Sequence, residues 1–210
     1  MFLTMFIGFI LMASLFLFVF NISKGKKIAW GFLFINSAMP VALSFDTWYQ
    51  GYIQYAISSN IVYILIAIYG YVKFDKNTEL KKITCNKNLG FMLLTIISAY
   101  CILNYLLASQ FISTMFSVNA FMTTFYIIED IVAIVGLFMI AQGYRVGLLV
   151  LVAWLCISLV LSFIALSVVT NNTDNYVLQM IIGISIIILC IIILIRGYFK
   201  SKKMEKNIIS

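Results

Sequence analysis

The sequence predicts an all-α membrane protein of seven transmembrane helices. The expected layout is a 3+1+3 parallel repeat, N-terminus outside and C-terminus in the cytosol. Three observations predict it. Of 210 residues, 64% are hydrophobic and only 10% charged. Soluble domains average roughly 45–50% apolar and about 25% charged, so no water-soluble core of this length hides so much apolar surface. All 14 basic residues fall on one side of the expected membrane. Finally, two helices close on the same Gly-Tyr-x-Lys ending.

The spans follow from apolar run length. The first is Met1–Phe20, with no basic residue before it and no small-x-small cleavage site, so it reads as a retained helix and not a signal peptide. Ile28–Phe45, Tyr52–Val72 and Leu89–Leu107 are the next three, and Phe121–Ala141, Val146–Val169 and Tyr176–Tyr198 complete the seven. Lys24, Lys26 and Lys27 follow the first span. Lys73, Lys76, Lys81, Lys82 and Lys87 follow the third, and Arg145 the fifth. Arg196 ends the seventh, with Lys200, Lys202, Lys203 and Lys206 beyond it. The opposite connections carry Asp46 and Asp174 and no Lys or Arg. Basic residues beside helix ends stay in the cytosol, which sets the orientation and a multi-pass location in the cytoplasmic (inner) membrane. The net charge of +7 is thereby explained by topology, without nucleic acid as a partner.

The chain reads as a single transmembrane domain over 1–210. Helix three ends Ile-Tyr-Gly70-Tyr71-Val-Lys73 and helix seven ends Ile-Arg-Gly197-Tyr198-Phe-Lys200. This points to a duplicated three-helix unit at 1–73 and 119–200, joined by a linker helix at 89–107 and followed by a cytosolic tail at 201–210. Convergence on a favoured interfacial ending explains the match equally simply. With duplication, the linker keeps the halves parallel, as in small transporters with a solute path between halves.

Polar residues at membrane depth mark function or helix contact. Glu129 and Asp130 sit near the middle of the fifth span and point about 100° apart. Asn119, Thr123, Tyr126 and Asp130 share one stripe at helical spacing. Asn60 and Tyr63 lie on one face of the third span, and Trp30 and Asn36 lie in the second, one turn before Pro40. Trp154 and Ser158 share a face of the sixth, and Trp154 lies too deep for an interfacial belt. Asn104, Tyr105 and Gln179 are placed to line an entrance, and Trp48 and Tyr49 to anchor at the interface. For each, helix packing is the plain alternative. Amides, rings and a carboxyl together suit a neutral or cationic organic solute with hydroxyls and a flat ring. The basic residues lie outside the spans, which disfavours an anion.

The chain has no histidine, which removes histidine metal sites, histidine proton relays and Ser-His triads. Cys85, Cys101, Cys156 and Cys190 match no metal or disulfide spacing. Neither an enzyme nor a cofactor is expected.

Trp30 after a basic turn, with Asn60 ten residues before Gly70 of Tyr69-Gly70-Tyr71, resembles the PnuC-type vitamin transporters. So do Asn119-Ala120-x-x-Thr123-Thr124 opening the fifth helix and Gly197-Tyr198-x-Lys200 closing the seventh. The resemblance implies facilitated diffusion of nicotinamide riboside or a related vitamin such as thiamine, with a cytosolic kinase that traps the product. It singles out Asn60 and Tyr63, and with them Trp154, for solute contact. The family's Trp-x-x-Trp-x-x-x-Asn/Asp stretch is reduced here to Trp154 alone. The expected solute-binding set is Asn60, Tyr63, Asp130, Trp154, Asn36, Tyr126, Glu129 and Ser158. The alternatives are a proton-coupled carrier and a non-transporting accessory or assembly subunit; homo-oligomerisation fits any of them.

Overall fold

In a computed structural model, residues 2–43, 51–74, 87–168 and 174–209 are described; within the helices, the side chains of 2–5, 51–58, 103–124 and 204–209 are among those not described. The described elements are all α: α1 Phe2–Ile22, α2 Ala29–Leu43, α3 Gly51–Lys73, α4 Lys87–Ala141, α5 Val146–Val168 and α6 Asp174–Ile209. Each helix packs on its neighbours in the chain, and α6 returns to α1 to close a ring.

Two boundaries differ from expectation. The fourth and fifth spans are joined in one helical segment of 55 residues. Straight, it would extend roughly 80 Å. It is not straight. Tyr100 and Asp130 would stand roughly 45 Å apart on one axis, yet they are hydrogen-bonded at 2.8 Å. The segment therefore doubles back between them, and the bundle has seven rods. No glycine or proline lies between Gly90 and Gly136, so the sequence offers no ordinary helix breaker there. At the other end, α6 runs on to Ile209, so the expected tail continues the helix.

The stretches Val146–Ile164 and Met180–Lys203 are long and apolar enough to cross a bilayer. The outward faces of the other rods are apolar too. Phe9, Phe34, Leu65, Phe91 and Ile128 are exposed, a surface that lipid tolerates and water does not.

Two turns have the same construction. Gly25 and Gly143 take left-handed backbone conformations, φ 66° and 83°, which only glycine adopts cheaply. Around each, the last carbonyls of the preceding helix are closed in a Schellman pattern. Gly25 N–H bonds Ile22 O at 2.9 Å and Lys26 N–H bonds Asn21 O at 3.0 Å. Gly143 N–H bonds Ile140 O at 2.8 Å and Tyr144 N–H bonds Met139 O at 2.9 Å. A cation beside each turn covers a tyrosine from the Gly-Tyr-x-Lys endings. Lys27 Nζ lies 4.6 Å from the Tyr71 ring centre, and the Arg145 guanidinium 5.9 Å from that of Tyr198.

The Tyr69-Gly70-Tyr71 motif is a weld between helices. The Tyr69 ring stacks on Phe138 at 5.7 Å, and its hydroxyl accepts from Gln142 Nε2 at 2.6 Å. Gly70 leaves room for the Trp30 indole, which is fully buried between Phe18 and Phe74. Where α4 crosses α5, a Cβ on Gly147 would stand 2.7 Å from Gly136 O, so the two backbones touch without side chains between them.

Candidate functional site

Asp130 sits where three rods meet. Tyr63 donates to its Oδ1 at 2.5 Å, while Ser59 at 2.6 Å and Tyr100 at 2.8 Å donate to its Oδ2. Ser59 and Tyr63 are one turn apart on α3, and Tyr100 comes from the first leg of α4. A bare carboxylate at the centre of a bilayer costs roughly 2.5–3.5 kcal/mol on insertion scales. Three hydroxyl donors offset that cost locally, because an ionised carboxyl only accepts and can take about four donors. Tyr100 is fully buried and Ser59 nearly so, while Tyr63 and Asp130 are half-buried.

Glu129, the preceding residue, points to the other neighbour. The Ser158 hydroxyl of α5 donates to its Oε1, and the Trp154 indole, one turn earlier on α5, lies beside it. The pair of carboxyls thus divides between two seams of the ring, as a helical offset of about 100° dictates. Asp130 ties α4 to α3, and Glu129 ties α4 to α5.

Of the expected set, Tyr63 meets Asp130, and Trp154 and Ser158 meet Glu129. Asn60 and Tyr126 are half-buried and both are partnered. Asn36 lies elsewhere. Its amide donates to Leu11 O at 2.7 Å and Ser14 Oγ at 2.8 Å, a clamp between α2 and α1. The Asn119, Thr123, Asn104, Tyr105 and Gln179 side chains, with Trp48 and Tyr49, lie outside the described residues. Two members were not singled out from sequence, Ser59 and Tyr100. Ser59 shares the Tyr63 face at i−4, and Tyr100 is a tyrosine well inside an apolar span; those were the available signals.

Asn36→Ala is expected to lower stability by about 0.5–1.5 kcal/mol, the scale of membrane hydrogen bonds, while leaving solute handling intact. A denaturation midpoint measured beside uptake checks this; lost uptake at unchanged stability would assign Asn36 to the solute instead.

A cavity of about 360 Å³ opens between α1, α5 and α6. Its wall is apolar except for Ser162, which lies one turn along α5 from Ser158.

No family model and no curated protein matches the sequence. Among solved structures, the chain matches one described as "Crystal structure of the Vitamin B3 transporter PnuC". The TM-score is 0.55 at 13% identity, over 93% of this chain and 83% of that one. The chain has a PnuC-type fold. At that identity the likeness to PnuC is one of architecture: an all-α bundle of the same course over nearly the whole chain.

Proposed function

We propose that this chain is a multi-pass membrane facilitator for a small vitamin-like or nucleoside-like solute, in the range of nicotinamide riboside and thiamine. The observation that carries the reading is the placement of two carboxyls and their aromatic and hydroxyl partners at mid-depth of a ring of helices with a PnuC-type fold. Lipid-facing helices gain nothing from buried carboxyls, whereas a solute path does. The carrier reading, and not an enzyme, is supported by the likeness of the fold to a solved transporter.

In this reading the halves 1–73 and 119–200 are parallel copies joined by the linker at 89–107. Support comes from the paired Schellman turns and the paired cation–tyrosine contacts. The halves rock about a midplane site lined by Asn60, Tyr63, Tyr126, Trp154 and Ser158, with the N-terminus outside and the C-terminus in the cytosol of the inner membrane. A cytosolic kinase that traps the product fits this direction of flow, and a homo-oligomer is compatible with it.

The test is uptake into liposomes reconstituted with the full chain, paired with thermal stabilisation by a panel of vitamins and nucleosides. Trp154→Ala and Asn60→Ala are each expected to weaken uptake about tenfold, equivalent to ~1.4 kcal/mol of solute binding, with unchanged folding. An imposed pH gradient is expected to leave uptake unaltered. Lys24 and Lys203 should label from the same face. Uptake indifferent to both substitutions, or no stabilising solute in the panel, sinks the carrier reading; labelling from opposite faces sinks the orientation.

A further inference from the structure

Two seams join residues 1–73 to residues 119–200, α3 against the second leg of α4 and α6 against α1. They differ at the basic end of the bundle. Counted back from the left-handed glycines of the two turns, Gln142 stands one residue before Gly143 and Lys24 one before Gly25. Five residues before those glycines stand Phe138 and Phe20. Counted back from the two Gly-Tyr-x-Lys endings, Tyr69 precedes Gly70 and Arg196 precedes Gly197. At the α3 seam these positions form a neutral contact: Tyr69 stacks on Phe138 and accepts from Gln142. At the α1–α6 seam the matching positions hold two cations, Lys24 and Arg196. The helices touch there through backbone, since a Cβ on Gly197 would stand 2.8 Å from Ser23 Cβ and 2.9 Å from Ser23 O. Lys24 and Arg196 are chain neighbours of that touching pair, so their Cα atoms lie within about 12 Å of each other. Both are exposed, and no Asp or Glu occurs in 17–28 or 188–203.

We propose that the phosphate headgroup of an anionic phospholipid sits between Lys24 and Arg196, at the basic end of the α1–α6 seam. Two like charges held side by side repel, and no acidic residue of either segment offsets them. A phosphate does. Arginine offers it a planar fork of donors and lysine a compact point charge. The surface below the cations selects a lipid over a free ion. One turn into the bilayer from Lys24 comes Phe20, whose ring centre lies 3.4 Å from the Lys24 amine, and the next turn brings Leu17. One turn in from Arg196 comes Ile192, and the next brings Leu189. Phe20, Leu17, Ile192 and Leu189 are all exposed. A ligand that satisfies both levels carries a charged head and an apolar tail, as an acidic lipid does. Such a lipid ties α1 to α6 at the seam where the direct contact of Tyr69 with Gln142 has no counterpart.

The experiment is thermal stabilisation of the purified full chain in detergent by three probes: dioleoylphosphatidylglycerol, dioleoylphosphatidylcholine and inorganic phosphate. The two lipids share their tails and differ in net charge. Phosphatidylglycerol should act at concentrations roughly 25-fold below phosphatidylcholine, from about fivefold per cation, and phosphate alone should leave the midpoint unmoved. Lys24→Gln and Arg196→Gln should each weaken the response to phosphatidylglycerol about fivefold. Lys73→Gln, an exposed cation at the end of α3, should leave it unchanged. Lys24→Gln combined with Arg196→Tyr installs the pair of the α3 seam. That variant should fold in phosphatidylcholine and respond no better to phosphatidylglycerol, which keeps the test decisive if a single substitution does not fold. Equal stabilisation by the two lipids, or a loss from Lys73→Gln as large as that from Lys24→Gln, means diffuse surface charge and overturns the site. Phosphate matching phosphatidylglycerol overturns the lipid and leaves a free-anion site. A full phosphatidylglycerol response in the double variant overturns the role of both cations.

Discussion

Asp130→Ala is expected to destabilise the protein by about 2–5 kcal/mol, the sum of three membrane hydrogen bonds at roughly 0.6–1.7 kcal/mol each, and to stop uptake. The substitution removes the common acceptor of Ser59, Tyr63 and Tyr100 and leaves their three hydroxyls without it, two of them on buried residues. Stranded donors cost more than absent ones. The companion variants separate the two effects. Asp130→Asn keeps one acceptor oxygen and should retain about half of the lost stability. Tyr63→Phe in the Asp130→Ala background should cost little more than Asp130→Ala alone, because the bond it would break has already gone. Chemical denaturation in detergent, with circular dichroism as the readout, checks both. A midpoint for Asp130→Ala equal to that of the parent would mean the cluster is not structural, and the additive outcome in the double variant would mean Tyr63 is held by something else.

The second large effect is expected at Gly70. Gly70→Ala adds a single methyl, yet that carbon would stand 2.4 Å from ring carbons of Trp30. The indole has nowhere to go, being fully buried with Phe18 at 6.2 Å and Phe74 at 6.0 Å between ring centres. Overpacking of a filled core costs about 1–3 kcal/mol and occasionally more, and the contact here is closer than ordinary repacking relieves. Trp30→Ala alone should cost roughly 3–5 kcal/mol through the cavity it leaves. Combined, the two should cost less than their sum, since the smaller residue at 30 admits the methyl at 70. Strict additivity in that cycle would show that Gly70 is required for something other than the indole.

Much of the architecture could be read from the chain. Apolar run length and the one-sided distribution of lysine located the rods, because bilayer thickness and charge retention act on any sequence. The offset of Glu129 from Asp130 followed from helix geometry alone, and each carboxyl does face a different neighbour. The continuous helicity through 108–120 was not legible. Hydropathy marks where a chain leaves apolar surroundings, and it carries no information on whether the reversal is made by a loop or by helical turns. Asn36 illustrates a different limit. An amide that clamps two helices and one that binds a solute have the same depth and the same composition, and only the position of Leu11 O distinguishes them. Trp30 likewise stood out as a tryptophan after a basic turn, and its partner turned out to be the space left by a glycine forty residues on.

The Asp130 cluster also bears on biosynthesis. Its bonds to Tyr63 and Ser59 join residues 67 and 71 positions apart. Ribosomes add about 5–20 residues per second, so α3 waits on the order of 3–14 s before the fifth rod has even been made. Throughout that interval its two hydroxyls must be served by their own backbone, by water or by the insertion machinery. A nascent chain halted shortly after residue 107 should therefore remain in contact with that machinery through Ser59 and Tyr63, and release should come only when Asp130 arrives.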